Sequence, residues 1–239
     1  MTLQSSVNQF MGFGVVGEVF LDGVYRAQPG QITSSGSVNP NRVGRLFTKG
    51  TNDGDAQVGG TNAIMGILMN PKVYPLAGTA AGGTLAPTLD LPQYAEGEFC
   101  TMSSGLIVKL ENAGNVDDTV DYDTTTGQLY ARDVSASGGV GTAAVATNVL
   151  TVASLPAGSP NIGVGSVITT ASGKQGTVTG LGTGTGGNGT YQTVGLPDHA
   201  AEAFTYTSVA PTGRANIPGS KVVRYSTTQA GNAVVELNG

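Results

Sequence analysis

Residues 119–131, TVDYDTTTGQLYA, decide the fold. Thr119–Tyr122 and Gln128–Ala131 are short runs rich in β-branched and aromatic residues, and Asp123-Thr-Thr-Thr-Gly127 turns between them. Gly127 can supply the positive φ that such a loop needs. The same grammar extends in both directions. Toward the C-terminus, Lys221–Tyr225 and Ala233–Leu237 form a hairpin around Gln229-Ala-Gly-Asn232. Toward the N-terminus, Ala63–Met69 (AIMGILM) is a continuous apolar run, the pattern of a strand buried on both faces. It stops at Asn70-Pro71, because a residue before proline is pushed out of the helical region. Gly14–Leu21 (broken at Gly17), Arg42–Thr48, Glu98–Ser103 and Leu106–Leu110 read as further strands. No window carries a helical period. Short strands punctuated by Gly, Pro and Asn predict an all-β chain whose core domain is a β-barrel or β-sandwich.

What the chain lacks bounds its chemistry. Its 239 residues hold one histidine (His199), one cysteine (Cys100) and no tryptophan, against 38 glycines. With 11 basic and 16 acidic residues, the groups that serve acid–base and nucleophilic catalysis are nearly missing. The composition therefore points to a structural protein that is not an enzyme, with no catalytic, cofactor or metal residues. The basic residues are scattered singly, which argues against direct nucleic-acid binding. No stretch of eighteen apolar residues predicts a membrane span, and the N-terminus has no signal-peptide pattern. Cys100, after Phe99 in a predicted strand, reads as a buried thiol.

Charge almost disappears between about Ser135 and Pro211, where only Lys174, Asp198 and Glu202 are charged. This segment is rich in Gly, Thr, Val and Ala. Strand-like runs at Val149–Ala153, Ser166–Thr170, Gly176–Leu181 and Thr190–Val194 alternate with turns, unlike a flexible linker. It reads as a small β-rich insertion, residues 135–211, within a discontinuous core domain of residues 1–134 and 212–239. Such an insertion is tolerated where its ends lie close together at a loop tip.

The remaining motifs have bland readings. The glycines of 180–189 lack the Gly-Lys-Ser/Thr ending of a phosphate loop and read as a turn. Asp117, Asp118, Asp121 and Asp123 lack the calcium-loop pattern and read as a solvated strand edge. Asp53 and Asp55 read as turn residues. Glu96 and Glu98 are a conceivable hydrolytic carboxylate pair, but no aromatic sugar platform stands near them. His199 has no co-ligand and reads as an exposed loop residue. For contacts with a partner, the candidates are Leu3, Val7 and Phe10 in an N-terminal arm suited to strand addition, and Tyr25, Arg26, Arg42 and Arg45.

The segments SSVNQF…GVVGEVFLDGVYRAQPGQI, NRVGRLFT, GGTNAIMGILMNPKVYPLAGTAAGGTLAPTLDLP, VDDTVDYDTTTGQLYA and IPGSKVVRYSTTQAGNAVVEL occur in this order. Together they resemble the structural cement (capsid decoration) proteins of tailed bacteriophages, over residues 1–133 and 214–239. The resemblance implies a protein made in the host cytoplasm and located in the virion, on the outer surface of the capsid. It implies binding to the major capsid protein, stabilisation of contacts between capsid subunits, and a homo-oligomer, dimer or trimer. The insertion is similar to Gly/Thr-rich motifs of phage fibre and tail components. That similarity implies the alternative, a receptor- or glycan-binding fibre or spike module that meets a host-surface glycan through residues 135–211.

Overall fold

A computed structural model describes residues 14–20, 24–37, 40–70, 90–133, 141–156, 159, 161–225 and 231–238. Sixteen strands and no helix are found among them. The first seven are β1 (Tyr25–Ile32), β2 (Leu46–Lys49), β3 (Asp55–Val58), β4 (Ile64–Leu68), β5 (Glu96–Lys109), β6 (Thr119–Asp123) and β7 (Leu129–Arg132). Six more follow: β8 (Gly141–Ala146), β9 (Val149–Ser154), β10 (Val167–Thr170), β11 (Gln175–Leu181), β12 (Gly189–Val194) and β13 (His199–Tyr206). The last three are β14 (Arg214–Asn216), β15 (Ser220–Tyr225) and β16 (Asn232–Leu237). The chain is all-β, as its turn-punctuated pattern predicts.

β5 is the spine of the largest sheet. The expected strands Glu98–Ser103 and Leu106–Leu110 are one strand of 14 residues, which runs straight through Ser103-Ser104-Gly105. Neighbours on both edges keep it extended. Its first half pairs with β1 from Glu96 to Ser103, and its second half pairs with β16 from Ser103 to Lys109. The order β1-β3-β2-β4-β5, with β5 pairing back to β1, closes five strands into a ring. β16 and β15 extend from it as a hairpin. Gly14–Leu21 does not form the expected strand in its described part. Only Val19 bridges to Leu106, flanked by bonds from Gly17 N–H to Ile107 O and from Phe20 N–H to Gly105 O.

Two apolar cores share this unit. Inside the ring, Ile32, Phe47, Met65, Leu68 and Phe99 pack together, with Phe47 and Phe99 ring centroids 5.2 Å apart. The second core lies between β5, β15 and β16 and the three-stranded sheet β14-β6-β7, and holds Leu106, Val108, Val120, Tyr122, Leu129 and Val235. β4 feeds both cores, with Met65 and Leu68 in one and Ile67 in the other. That explains its unbroken apolar sequence. Cys100 is fully buried in the second core. Gly127 sits at φ 68° in the β6–β7 turn, where a Cβ would stand 2.4 Å from the Leu46 carbonyl oxygen. Only glycine fits there.

β8 to β13 form a closed barrel in the order β10-β11-β12-β9-β8-β13. Its own core includes Leu150, Ile168, Val178, Tyr191, Phe204 and Tyr206. The chain leaves β7 through Arg132 and Asp133 and returns through Ser208. Ser208 Oγ donates to the Asp133 carbonyl (2.6 Å), and Arg132 Nη1 donates to the Ser208 carbonyl (2.7 Å). The two crossing segments are thus stitched at a neck.

Candidate functional site

The interface candidates fall in three places. Leu3, Val7 and Phe10 lie outside the described residues. Tyr25 and Arg26 open β1, opposite Ser103 and Met102 of β5, and both are exposed. Arg42 and Arg45 lie at a corner toward the other end of β1. Asn41 ties that corner to the chain beyond β1, through Ser34 Oγ to Asn41 Oδ1 (2.6 Å) and Asn41 Nδ2 to the Ser34 carbonyl (2.8 Å).

The two arginines of the corner do different work. Arg42 makes a bidentate pair with Asp90, with Nε–Oδ1 at 2.8 Å and Nη2–Oδ2 at 3.2 Å, and it remains half exposed. The Asp90 hydrogen bond raises its pKa, against the cost of burial. Arg45 Nη1 donates to the carbonyls of Pro40 (3.3 Å) and Thr126 (3.0 Å), strapping the corner to the β6–β7 turn. Burial and the neighbouring Arg42 charge lower its pKa. Its Nη1 is thus directed at backbone of the protein itself.

Two exposed residues escape sequence patterning. Val24, just before β1, is 76% exposed, and Tyr94 is 65% exposed. Tyr94 N–H donates to the carbonyl of Ile32, the last residue of β1. Val24 and Tyr25 therefore mark one end of β1 and Tyr94 the other, about 23 Å apart along an eight-residue strand. A cleft of about 270 Å³ beyond the Tyr94 end is lined by Thr33–Gly36, Gln57 and Val58. Nothing in the local sequence around Pro92-Gln-Tyr94 flags this tyrosine; its exposure follows from the turn it occupies.

Of the acidic cluster only Asp117 is exposed as expected; Asp118 and Asp121 are buried and Asp123 is half-buried, so the cluster as a whole is not a solvated strand edge. Asp121 is buried and accepts from Arg132 Nε (2.6 Å) and Nη2 (3.1 Å). Asp118 is also buried, and its carboxylate accepts the Asn115 N–H (2.7 Å); burial raises its pKa despite that bond. Burial also pushes the Asp123 carboxyl up. Donation from the Thr126 and Thr125 N–H groups and from Thr126 Oγ1 outweighs it and holds the group below the usual range. Asp118 thus holds the turn before β6, Asp123 the β6–β7 turn, and Asp121 the neck through Arg132. Glu96 and Glu98 stand exposed on β5, opposite Gln31 and Pro29 of β1. Asp55 closes the turn before β3 by accepting from Asn52 N–H and Nδ2.

His199 is not the exposed loop residue expected. It begins β13, its side chain is only 4% exposed, and its Nε2 lies 3.9 Å from Glu202 Oε1 with no hydrogen-bond partner among the described residues. The ladder with β8 shifts register between His199 and Glu202. Glu202 in turn accepts from Ser172 Oγ (2.7 Å) and Ser172 N–H (3.1 Å), which hold its pKa low. The glycines expected to form a turn over 180–189 do so at 182–188, between β11 and β12, and this segment wraps the hydroxyl of Tyr191. That hydroxyl donates to the Gly187 carbonyl (2.6 Å) and accepts the Gly186 N–H (3.2 Å). A Cβ at Gly184 would stand 2.3 Å from the Tyr191 ring, so the glycines let backbone close over an aromatic plug. Burial pushes the Cys100 thiol up to about 11. Among the described residues no three His, Cys, Asp or Glu side chains are grouped to hold a metal ion.

Comparison with known proteins places this geometry. Residues 3–170 match a phage family described as structural cement protein (E217 gp24/Pam3 gp6). The matched span contains the ring, the β6–β7 hairpin and the first strands of the barrel. A chain from a solved structure titled "The capsid of Myoviridae Phage XM1" is similar over 66% of this chain and 93% of that one, at 15% identity and a TM-score of 0.37. No curated protein matches.

Proposed function

The chain belongs to the phage structural cement protein family, and from that premise we propose that it binds the outer face of an assembled head and bridges neighbouring major capsid subunits. As a member of that family it is a structural protein of the virion that associates with capsid proteins and stabilises the shell. One observation carries the choice of surface. The exposed apolar side chains Val24, Tyr25 and Tyr94 bracket β1, within the matched residues. Aromatic and apolar groups left in water at the ends of a rigid strand suit a docking face. Arg26, beside Tyr25, and the half-exposed Arg42 add polar contacts at its margins.

The physical gain is linkage. A ligand that binds only the assembled lattice stabilises it by about 4 kcal/mol per site at a thousandfold excess over Kd. Bridging many subunits multiplies that through avidity. We read the protein as a dimer or trimer on sites of local symmetry. Residues 135–211 are read as an inserted module, carried outward on the stitched neck. The alternative of glycan binding by that module draws no support from the barrel, whose aromatic residues Tyr191, Phe204 and Tyr206 are all buried.

Purified protein mixed with heads that lack it is expected to give ordered density at regular positions on the outer face, seen by electron cryomicroscopy, and to raise the temperature at which heads rupture. Heads that stay bare at saturating protein would refute the reading.

A further inference from the structure

Tyr94 is the most exposed aromatic ring among the described residues, at 65%. Its backbone lies at φ 68°, in the left-handed region that bulky side chains avoid. Glycine or asparagine would occupy that conformation at lower cost. The turn holding it is sewn to the end of β1 from both sides. Tyr94 N–H donates to the Ile32 carbonyl (2.7 Å), and Ile32 N–H donates to the Ala95 carbonyl (2.9 Å). Ala95 N–H closes onto the Pro92 carbonyl (3.2 Å), and Gln93 Nε2 reaches the Thr33 carbonyl (2.7 Å). Folding therefore fixes the backbone from which the ring projects, yet the ring itself contributes little to folding, because most of it stays in water.

Backbone strain persists where the surroundings over-determine it, and such positions gather at ligand clamps. A tyrosine on a rigid seat loses little conformational entropy on docking and presents an apolar body with a polar tip. We propose that Tyr94 is the anchor of the capsid contact, its ring entering an apolar socket of the capsid shell protein. The polar cleft beyond the end of β1, at Thr33–Gly36, would meet the margin of that socket. This rests on the capsid-binding reading above.

The test uses the full chain with Tyr94→Gly, Tyr94→Asn and Tyr94→Phe. Each is titrated onto heads lacking the protein, with bound copies measured by co-sedimentation. The free variants are compared by thermal melting and sedimentation velocity. Tyr94→Gly and Tyr94→Asn are expected to melt at or above the wild-type temperature, because strain is relieved and little buried surface is lost. Their half-saturation concentration on heads should rise about tenfold or more, whereas Tyr94→Phe stays within about threefold. Decoration by Tyr94→Gly and Tyr94→Asn at the wild-type concentration would overturn the proposal. So would loss of binding accompanied by dissociation into monomers, which would assign the ring to a contact between copies. Failure of the wild-type protein itself to bind heads would instead remove the capsid-binding reading, and this proposal with it.

Discussion

The neck offers the sharpest quantitative test. Asp121 is 1% exposed and Arg132 is 14% exposed, and they meet in a two-pronged pair at 2.6 and 3.1 Å. Asp121→Ala would leave the guanidinium with the Ser208 carbonyl and hydroxyl as its only hydrogen-bond partners among the described residues. Stranding one member of a buried pair costs about 3–5 kcal/mol, far above the 0–1 kcal/mol of a surface pair. At about 2–4 °C per kcal/mol for a domain of this size, the lower figure lowers the midpoint by roughly 9 °C. Lys221→Ala is the control. Its pair with Glu236 is 3.1 Å long but 45% and 26% exposed, so its removal should cost under about 0.5 kcal/mol. The pair Asp121→Ala/Arg132→Met removes both charges and refills the volume. It should lose about 2 kcal/mol less than the two single changes together. Calorimetry at neutral pH reads all four variants. A shift under about 2 °C for Asp121→Ala, or strict additivity in the double variant, would refute the assignment of a buried stitch.

Three further outcomes follow from single contacts. Tyr191→Phe keeps the ring and deletes the bonds to Gly186 and Gly187, so urea melts should show about 2 kcal/mol lost. Cys100, with its thiol pushed up to about 11 by burial, should resist Ellman's reagent at pH 8 in the native protein and react at once in urea. Asp123 is held below the usual carboxylate range, so its contribution is present above the unfolded value near 4 and is lost as pH falls through the folded one. Asp123→Asn should therefore flatten the acid limb of a stability–pH curve below about pH 4; an unchanged limb would show that the turn bonds add nothing.

Local pattern specified strands whose pairing is itself local. The β6–β7 hairpin is bounded by a turn that the sequence spells out. The β15–β16 pair forms as expected, although the first residues of its expected turn, Gln229 and Ala230, lie outside the described residues, and β4 is apolar because both its faces meet core. Some strands that pattern leaves out, β1 and β13 among them, depend on distant partners. By contrast, β3 and β8 pair with their near neighbours β2 and β9 and are left out because their own sequences are weak. β1 contains Pro29 and Gly30, which read as breakers, but eight residues stay extended because β5 pairs along them. β8 (GTAAVA) and β13 (HAAEAFTY) are alanine-rich and weak as strands alone; pairing with each other and with β9 and β10 holds them. Side-chain roles divide the same way. Turn chemistry at Asp55 and Gly127 is readable within a few residues. The burial of Asp118, Asp121 and the His199 side chain and the use of Arg45 as a strap depend on what the fold brings against them. Tyr94 is the extreme case, since its left-handed backbone is imposed by bonds to Ile32 and Thr33, about sixty residues earlier in the chain.

Strand edges separate the two parts of the molecule in a way that bears on assembly. A closed barrel pairs every strand on both sides, so β8 to β13 offer no edge for another chain to extend. The ring is different. β1 pairs along β5 from Tyr25 to Gln31, but on its second edge only Gln31 and Ile32 meet β3. Among the described residues, Tyr25 to Gly30 have no ladder partner on that edge. Pro29 blunts it by removing one donor, as edge strands commonly do. Any association by strand addition must therefore use β1 or another open edge outside the barrel. β1 is also the strand whose two ends carry Tyr25 and Tyr94. Backbone pairing along the edge and aromatic anchors at its ends would act on one partner surface, which is why Tyr94→Gly should weaken decoration of heads without touching the barrel.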